Sequence, residues 1–213
     1  MLEGVMDVLK KVTLWFGSTA NRYRLRGARV EVIALIVCRE PEASVLLGQA
    51  SYHKLWMPPQ EGVGLRETFL DTLHRCLRTE CGLEIPNDES ERRNKFYVRS
   101  VRYVGTLDLP AARHGERLVA DDATGTPLEA VRLRKKAYWL ATLLVRQRDD
   151  LAPKPDGLEL VRLEWVSVEK ARELIKSTNE PPKAELLLKC LTTALQDIQG
   201  APRTIHPQIV GER

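Results

Sequence analysis

The stretch from Arg66 to Leu83 constrains this chain more than any other. Phe69, Leu70, Leu73 and Leu77 recur at helical spacing and form one apolar stripe, and Gly82 stands where a left-handed residue stops a helix. Glu67, Asp71 and Arg75 follow one another at i, i+4 as solvated charges on the same helix. Such a stripe has to be buried against another element. Upstream, the largely apolar run Val30 to Cys38 stops after one strand length, short of the ~20 residues a membrane span requires.

Compared with known patterns, the helix and its approach resemble the Nudix box, Gx5Ex7REUxEExGU, in which U is a bulky apolar residue. Anchored on Gly82, the residues Glu67, Arg75, Leu77, Glu80, Gly82 and Leu83 fall on matching places. Three positions depart. Glu61 stands for the first glycine, and Cys76 and Thr79 stand for two of the family's metal-side glutamates. Upstream, Pro59, Gln60, Gly62 and Val63 resemble the P-Q-G-G form found before the box in RNA pyrophosphohydrolases and dinucleoside polyphosphate hydrolases. Residues 134–145 resemble the central strand of that branch. Residues 158–171, with Trp165, resemble the last core strand and its short following helix. The resemblance covers about residues 28–198. It implies an α/β fold, the Nudix α/β/α sandwich built on a mixed sheet.

The chemistry implied by the resemblance is that of Mg²⁺ or Mn²⁺, hard ions that take oxygen ligands and bridge carboxylates to phosphates. The three box glutamates, matching Cys76, Thr79 and Glu80, lie at i, i+3 and i+4 on one helical face. There they hold metals that polarise a phosphoryl oxygen and activate water. Here the face reads Cys, Thr, Glu. Thiols suit softer ions, and a hydroxyl is a weak neutral ligand. Glu80 is thus the remaining candidate for metal binding and catalysis. Glu67 is the second catalytic candidate, although its family counterpart pairs with that of Arg75 to fix the loop and helix. Glu159 and Glu164 lie near where some family members place an extra carboxylate. Cys76 reads as a small buried hydrophobe, and Trp56 and Trp139 as core residues or base-stacking platforms.

Charge adds a little. Lys and Arg number 33 against 29 Asp and Glu, a formal net charge of +4 that names no nucleic-acid partner. Arg22, Arg24 and Arg26 alternate before the first strand, and Arg132, Arg134, Lys135 and Lys136 cluster before the central one. Basic residues at strand mouths suit a polyphosphate, or else guard the strand ends against edge pairing. Together with Gln60 and Arg75, the residues Arg134, Lys135 and Lys136 are the expected ligand contacts. Four scattered cysteines without CxxC spacing point to reduced thiols, and the opening residues resemble no signal peptide, so the expected location is the cytoplasm.

Periodicity predicts strands over 28–38, 43–49, 94–108, 136–146 and 158–166, and helices over 66–81, 168–177 and 181–198. Residues 109–130 read as a long polar loop. Residues 1–20 form an expected N-terminal extension, in which Leu2 to Phe16 carries a broad apolar face and makes an amphipathic helix. It would pack on the domain or on a second copy as a homodimer contact, with no membrane role. The core domain is expected at 21–199 and a loose tail at 200–213. Functionally, the expectation is a protein that binds a nucleotide or polyphosphate with little or no hydrolysis. The alternatives are an active pyrophosphohydrolase, acting on nucleoside diphosphate derivatives, dinucleoside polyphosphates or RNA 5′ ends with an atypical carboxylate set, and a protein-interaction module that keeps only the fold.

Overall fold

The computed structural model describes residues 19–39, 42–64, 67–83, 96–108, 117–121, 127–132, 134–145, 148 and 151–199. The expected helix over Leu2 to Phe16 and the tail from Gly200 lie outside them. The elements are α1 (Thr19–Leu25), β1 (Ala28–Cys38), β2 (Ser44–Ala50), β3 (Trp56–Met57), β4 (Gln60–Gly62) and α2 (Phe69–Cys81). They continue with β5 (Phe96–Asp108), β6 (Arg117–Asp121), β7 (Pro127–Arg132), β8 (Lys135–Val145), β9 (Leu160–Ser167), α3 (Val168–Thr178) and α4 (Pro181–Gln199).

A mixed seven-stranded sheet forms the middle layer, in the order β3-β2-β1-β8-β5, with β4 joined to β1 and β9 to β2. The β1–β8 pair is parallel over its whole length and the other pairs are antiparallel. From Val32 to Cys38 the strand β1 is wholly apolar because both of its faces are covered there. Val30, Val32, Ala34 and Ile36 pack under α2 with Leu73, Cys76 and Leu77. Ile33, Leu35 and Val37 pack on the opposite side with Ile175 of α3 and Leu187 and Leu191 of α4. Each fully buried Leu or Ile contributes about 1.5–3 kcal/mol. The α/β/α sandwich with a mixed sheet is thus what the chain adopts.

The helix α2 is bounded by its own sequence. Thr68 and Asp71 form a reciprocal capping box, the threonine hydroxyl accepting from the Asp71 N–H and the Asp71 carboxylate from the Thr68 N–H. At the far end Gly82 takes φ 61° and ψ 23°, and its N–H returns to the helix carbonyls. There a Cβ would stand 3.2 Å from the Lys154 carbonyl oxygen, so glycine suits both the turn and the contact.

Two expectations need correcting. The polar stretch 109–130 includes strands: β6 and β7 pair antiparallel as a separate two-stranded sheet, with Leu118 opposite Val131 and Ala120 opposite Leu128. Both strands carry a valine, Val119 and Val131, a residue type that favours extended chain, despite the Gly and Asp content around them. Arg22, Arg24 and Arg26 do not form a row of strand-mouth charges. They belong to the helix α1 and the turn after it, and Arg24 is buried, donating to the carbonyls of Val63 and Gly64.

Candidate ligand and metal site

The approach to α2 is held by a lattice of charges centred on Arg75. Its Nε donates to Glu67 Oε1 and its Nη2 to Glu67 Oε2, both at 2.7 Å, and Nη2 also donates to the Gly62 carbonyl at 2.7 Å. Its Nη1 pairs with Glu61 Oε2 at 2.8 Å. Glu67 further accepts from the Gly64 N–H at 2.7 Å and the Thr72 hydroxyl at 3.0 Å. The paired Arg75 guanidinium, chiefly, holds the Glu67 carboxyl down at about 2, and the Gly64 and Thr72 bonds add to this. Glu61, which replaces the family's first glycine, thus serves as a second acceptor for Arg75. The guanidinium is occupied by two carboxylates and a carbonyl, a geometry that ties β4, the loop and α2 into one rigid piece.

One turn further along α2 the environment reverses. Glu80 is only 3% exposed. One oxygen accepts the Gln60 N–H at 3.1 Å, and the other, Oε1, is buried with no hydrogen-bond partner. Burial first, and then the neighbouring charges of Glu159, Glu61 and Asp156, push its carboxyl up to about 8 against the opposing Gln60 bond. Its two companions on the box face offer no acid. Cys76 is 0% exposed, and burial pushes its thiol well up. Thr79 turns its hydroxyl back along the helix to donate to the Arg75 carbonyl at 2.9 Å.

Glu159 is the nearest thing to a compensating carboxylate, with its carboxyl raised by partial burial and by Glu61 and Asp156. Asp156 is spent on its own loop, accepting the backbone N–H groups of Leu158, Glu159 and Leu160. Glu164 pairs with Arg162 instead. Among the described residues, no group of three or more His, Cys, Asp or Glu could hold a metal ion. The donor set does not fit a preorganised Mg²⁺ centre: one buried carboxyl, one buried thiol and one hydroxyl bonded to its own helix.

The expected basic contacts separate across the sheet. Arg134 is exposed at the strand mouth. Lys135 is also exposed and reaches Asp108 at 3.7 Å. Lys136 turns to the α4 face and pairs with the buried Glu31 Oε1 at 2.6 Å, where Arg29 joins at 3.3 Å. Glu31 keeps its second oxygen buried and unpartnered. Beside this pair lies a residue that the sequence did not single out. Lys183, in the first turn of α4, donates to the Gln60 side-chain oxygen at 2.8 Å, and its Nζ sits 4.0 Å from the centre of the Tyr138 ring. Burial chiefly, with Lys136 nearby, draws its ammonium down to about 8 while Glu31 opposes. The only cue was a lone lysine just inside a helix start.

Gln60 therefore meets both faces, its backbone N–H on Glu80 and its side chain on Lys183. Trp56 and Trp139 are both core residues. The Trp56 backbone is clamped by the end of α3, donating to the Thr178 hydroxyl at 3.0 Å and accepting from the Asn179 amide at 2.8 Å. That clamp sets the height of the β3–β4 turn against the sheet. All four cysteines are buried and none is in a disulfide, and among the described residues no helix is long and apolar enough to cross a membrane.

The sequence matches no protein-family model and no curated protein. Solved structures are another matter. The chain superposes over 85% of its length on 91% of RenU, a Nudix hydrolase from M. smegmatis, with a TM-score of 0.52 at 14% identity. It superposes over 79% of its length on 95% of a Listeria monocytogenes protein assigned to the Nudix hydrolases, with a TM-score of 0.50 at 13% identity. At such identities a likeness speaks for architecture alone, and that architecture agrees with the box skeleton and the sheet order: the chain has the Nudix fold.

Proposed function

We propose that this protein holds a nucleotide or polyphosphate ligand at the mouth of β1, β4 and β8 and hydrolyses it little or not at all. The observation that carries this reading is the α2 face. Its single acid, Glu80, is buried and held largely neutral at pH 7, and the two flanking positions are a sealed thiol and a hydroxyl bonded to its own helix. Recognition rests on the cations that survive around Gln60. Lys136 and Lys183 line the α4 face, with Arg29 beside them and Arg134 exposed at the edge of the mouth. Phosphate groups recruit such residues through charge-assisted bonds.

The test combines two measurements on the full chain. A thermal-shift screen of nucleoside diphosphate derivatives, dinucleoside polyphosphates and 5′-triphosphorylated RNA, with and without Mg²⁺ or Mn²⁺, is expected to yield a stabilising ligand. Phosphate release from that ligand is expected to stay well below the usual enzyme range of about 1–10³ per second. Turnover within that range overturns the reading.

One observation favours the second reading, an active pyrophosphohydrolase. The charges of Glu159 and Glu61 add to burial in raising the proton affinity of Glu80, that of Glu61 does the same for Glu159, and Glu80 Oε1 has no partner, an arrangement that an added divalent cation would relieve. Hydrolysis that requires the metal and is lost in Glu159→Gln would establish this alternative.

A further inference from the structure

On the α2 face, the sheet ends in an aromatic cluster that is covered on one side only. Trp139 of β8 stacks on Phe69 (ring centres 4.8 Å apart, planes 21° apart) and meets Tyr23 of α1 edge-on at 4.9 Å. Tyr103 of β5 lies 5.1 Å from Trp139 and 5.6 Å from Tyr23. Among the described residues, the cover stops beyond it. Tyr103 is 45% exposed and Val101 is 37% exposed. They share this face, because their register partners are Trp139 and Ala141, both of the α2-side core. Among the described strands, β5 is also the end of the sheet path, so its outer backbone edge is unpaired there. Long apolar edges of this kind are blunted or covered in natural proteins.

The helix α1 arrives on this same face, with Ala20 buried beside Tyr23 in the α2-side core. Shortly before it, residues 2–16 are rich in bulky apolar side chains: Val5, Met6, Val8, Leu9, Val12, Leu14, Trp15 and Phe16. Gly17 and Ser18 separate that run from Thr19. Glycine is a natural helix stop and serine a natural N-cap, so the chain has the residues to reverse at this point. A helix over residues 2–16 would be ~22 Å long, enough to run beside a strand of β5's length. We propose that residues 2–16 dock in cis on the β5 edge of the α2 face, covering Val101 and Tyr103 and completing the aromatic cluster. The two-residue connection favours this chain's own segment over one from a second copy, which would have to leave the face where its own α1 is seated.

The four native cysteines are buried, so cysteines introduced at exposed positions can be labelled selectively. The variant Val8→Cys with Val101→Cys is treated with a short bis-maleimide and analysed on a denaturing gel and by peptide mass spectrometry. Val101 is partly exposed, and a melting curve matching the wild type verifies the fold. The expected result is a cross-link within one chain that persists on dilution. Deleting residues 2–16 in the Val101→Cys background is expected to speed thiol labelling at position 101 by about fivefold or more, as uncovered sites react in proportion to their exposed population. A product linking two chains only, or none although both cysteines label, overturns the proposal. So does an unchanged labelling rate after the deletion.

Discussion

Glu67 and Glu80 bracket one helix and experience opposite surroundings. Glu67 receives bonds from two nitrogens of Arg75, from Gly64 and from Thr72, and stays charged down to about pH 2. Glu80 receives one backbone N–H, keeps a buried oxygen unpaired, faces three acidic neighbours and binds its proton up to about pH 8. The box has kept the carboxylate that shapes its loop in a form suited to that job. It has kept the one that the family resemblance assigns to metal in a form unsuited to it. Geometry and chemistry, joined in one motif, have come apart here.

The harshest test of that contrast is Arg75→Ala. It strands Glu61 and Glu67 and frees the Gly62 carbonyl, and each lost bond to a charged group costs about 1.5–3 kcal/mol. Discounted for partial exposure, a fall of roughly 2–4 kcal/mol in unfolding free energy is expected by urea titration. A loss below about 0.5 kcal/mol, the range of ordinary surface changes, would mean that the lattice is ornamental. Gly64→Ala probes the same end more gently. Its Cβ would stand 2.7 Å from Glu67 Oε2, so the carboxylate has to move off the Gly64 N–H, at a cost of about 1–3 kcal/mol.

Glu80 predicts a pH signature of opposite sign to that of Glu67. Its folded-state proton affinity is raised, so the stability it contributes is complete below its unfolded value of 4.5 and is lost as pH rises through about 8. Between those limits the slope approaches about 1.4 kcal/mol per pH unit for one proton. Glu80→Gln is expected to flatten that limb in melting curves taken from pH 5 to 9. For Glu67 the contribution is present above 4.5 and is lost as pH falls toward about 2, a limb that Glu80→Gln leaves intact. Identical profiles for wild type and Glu80→Gln would remove the contrast. The smallest effect belongs to Thr79→Glu. The position is exposed, so stability is expected to change by less than about 0.5 kcal/mol, while Mg²⁺ binding by calorimetry reports whether a second acid beside Glu80 restores affinity. Cys76→Glu is the poorer repair, because it buries a charge in a sealed site.

Much of this was legible in the residues, for identifiable reasons. The run Val30 to Cys38 is apolar at every position but Glu31, and the strand occupies that span because both faces of the sheet are covered. The box helix starts at Phe69, behind its Thr68–Asp71 cap, rather than at the expected 66, and ends at Gly82 as the pattern suggested. Three things were hidden. Thr19 to Leu25 carries its arginines at a spacing that also suits a strand, and only the burial of Arg24 against two carbonyls shows the helix to advantage. The β6–β7 pair is short, lacks apolar alternation and is set among Gly, Asp and Thr, so its composition reads as loop. Lys183 is distant from the box in sequence and reaches it only because α4 begins under Gln60. No local pattern encodes a contact of that range.

Gln60 carries a consequence of its own. Its main chain answers to one face and its side chain to the other: the N–H to Glu80, the amide oxygen to Lys183. Any residue but proline supplies the first bond, whereas the second depends on an acceptor of the right reach. Sequence drift at position 60 can therefore retune the α4 side of the mouth while leaving the α2 side untouched.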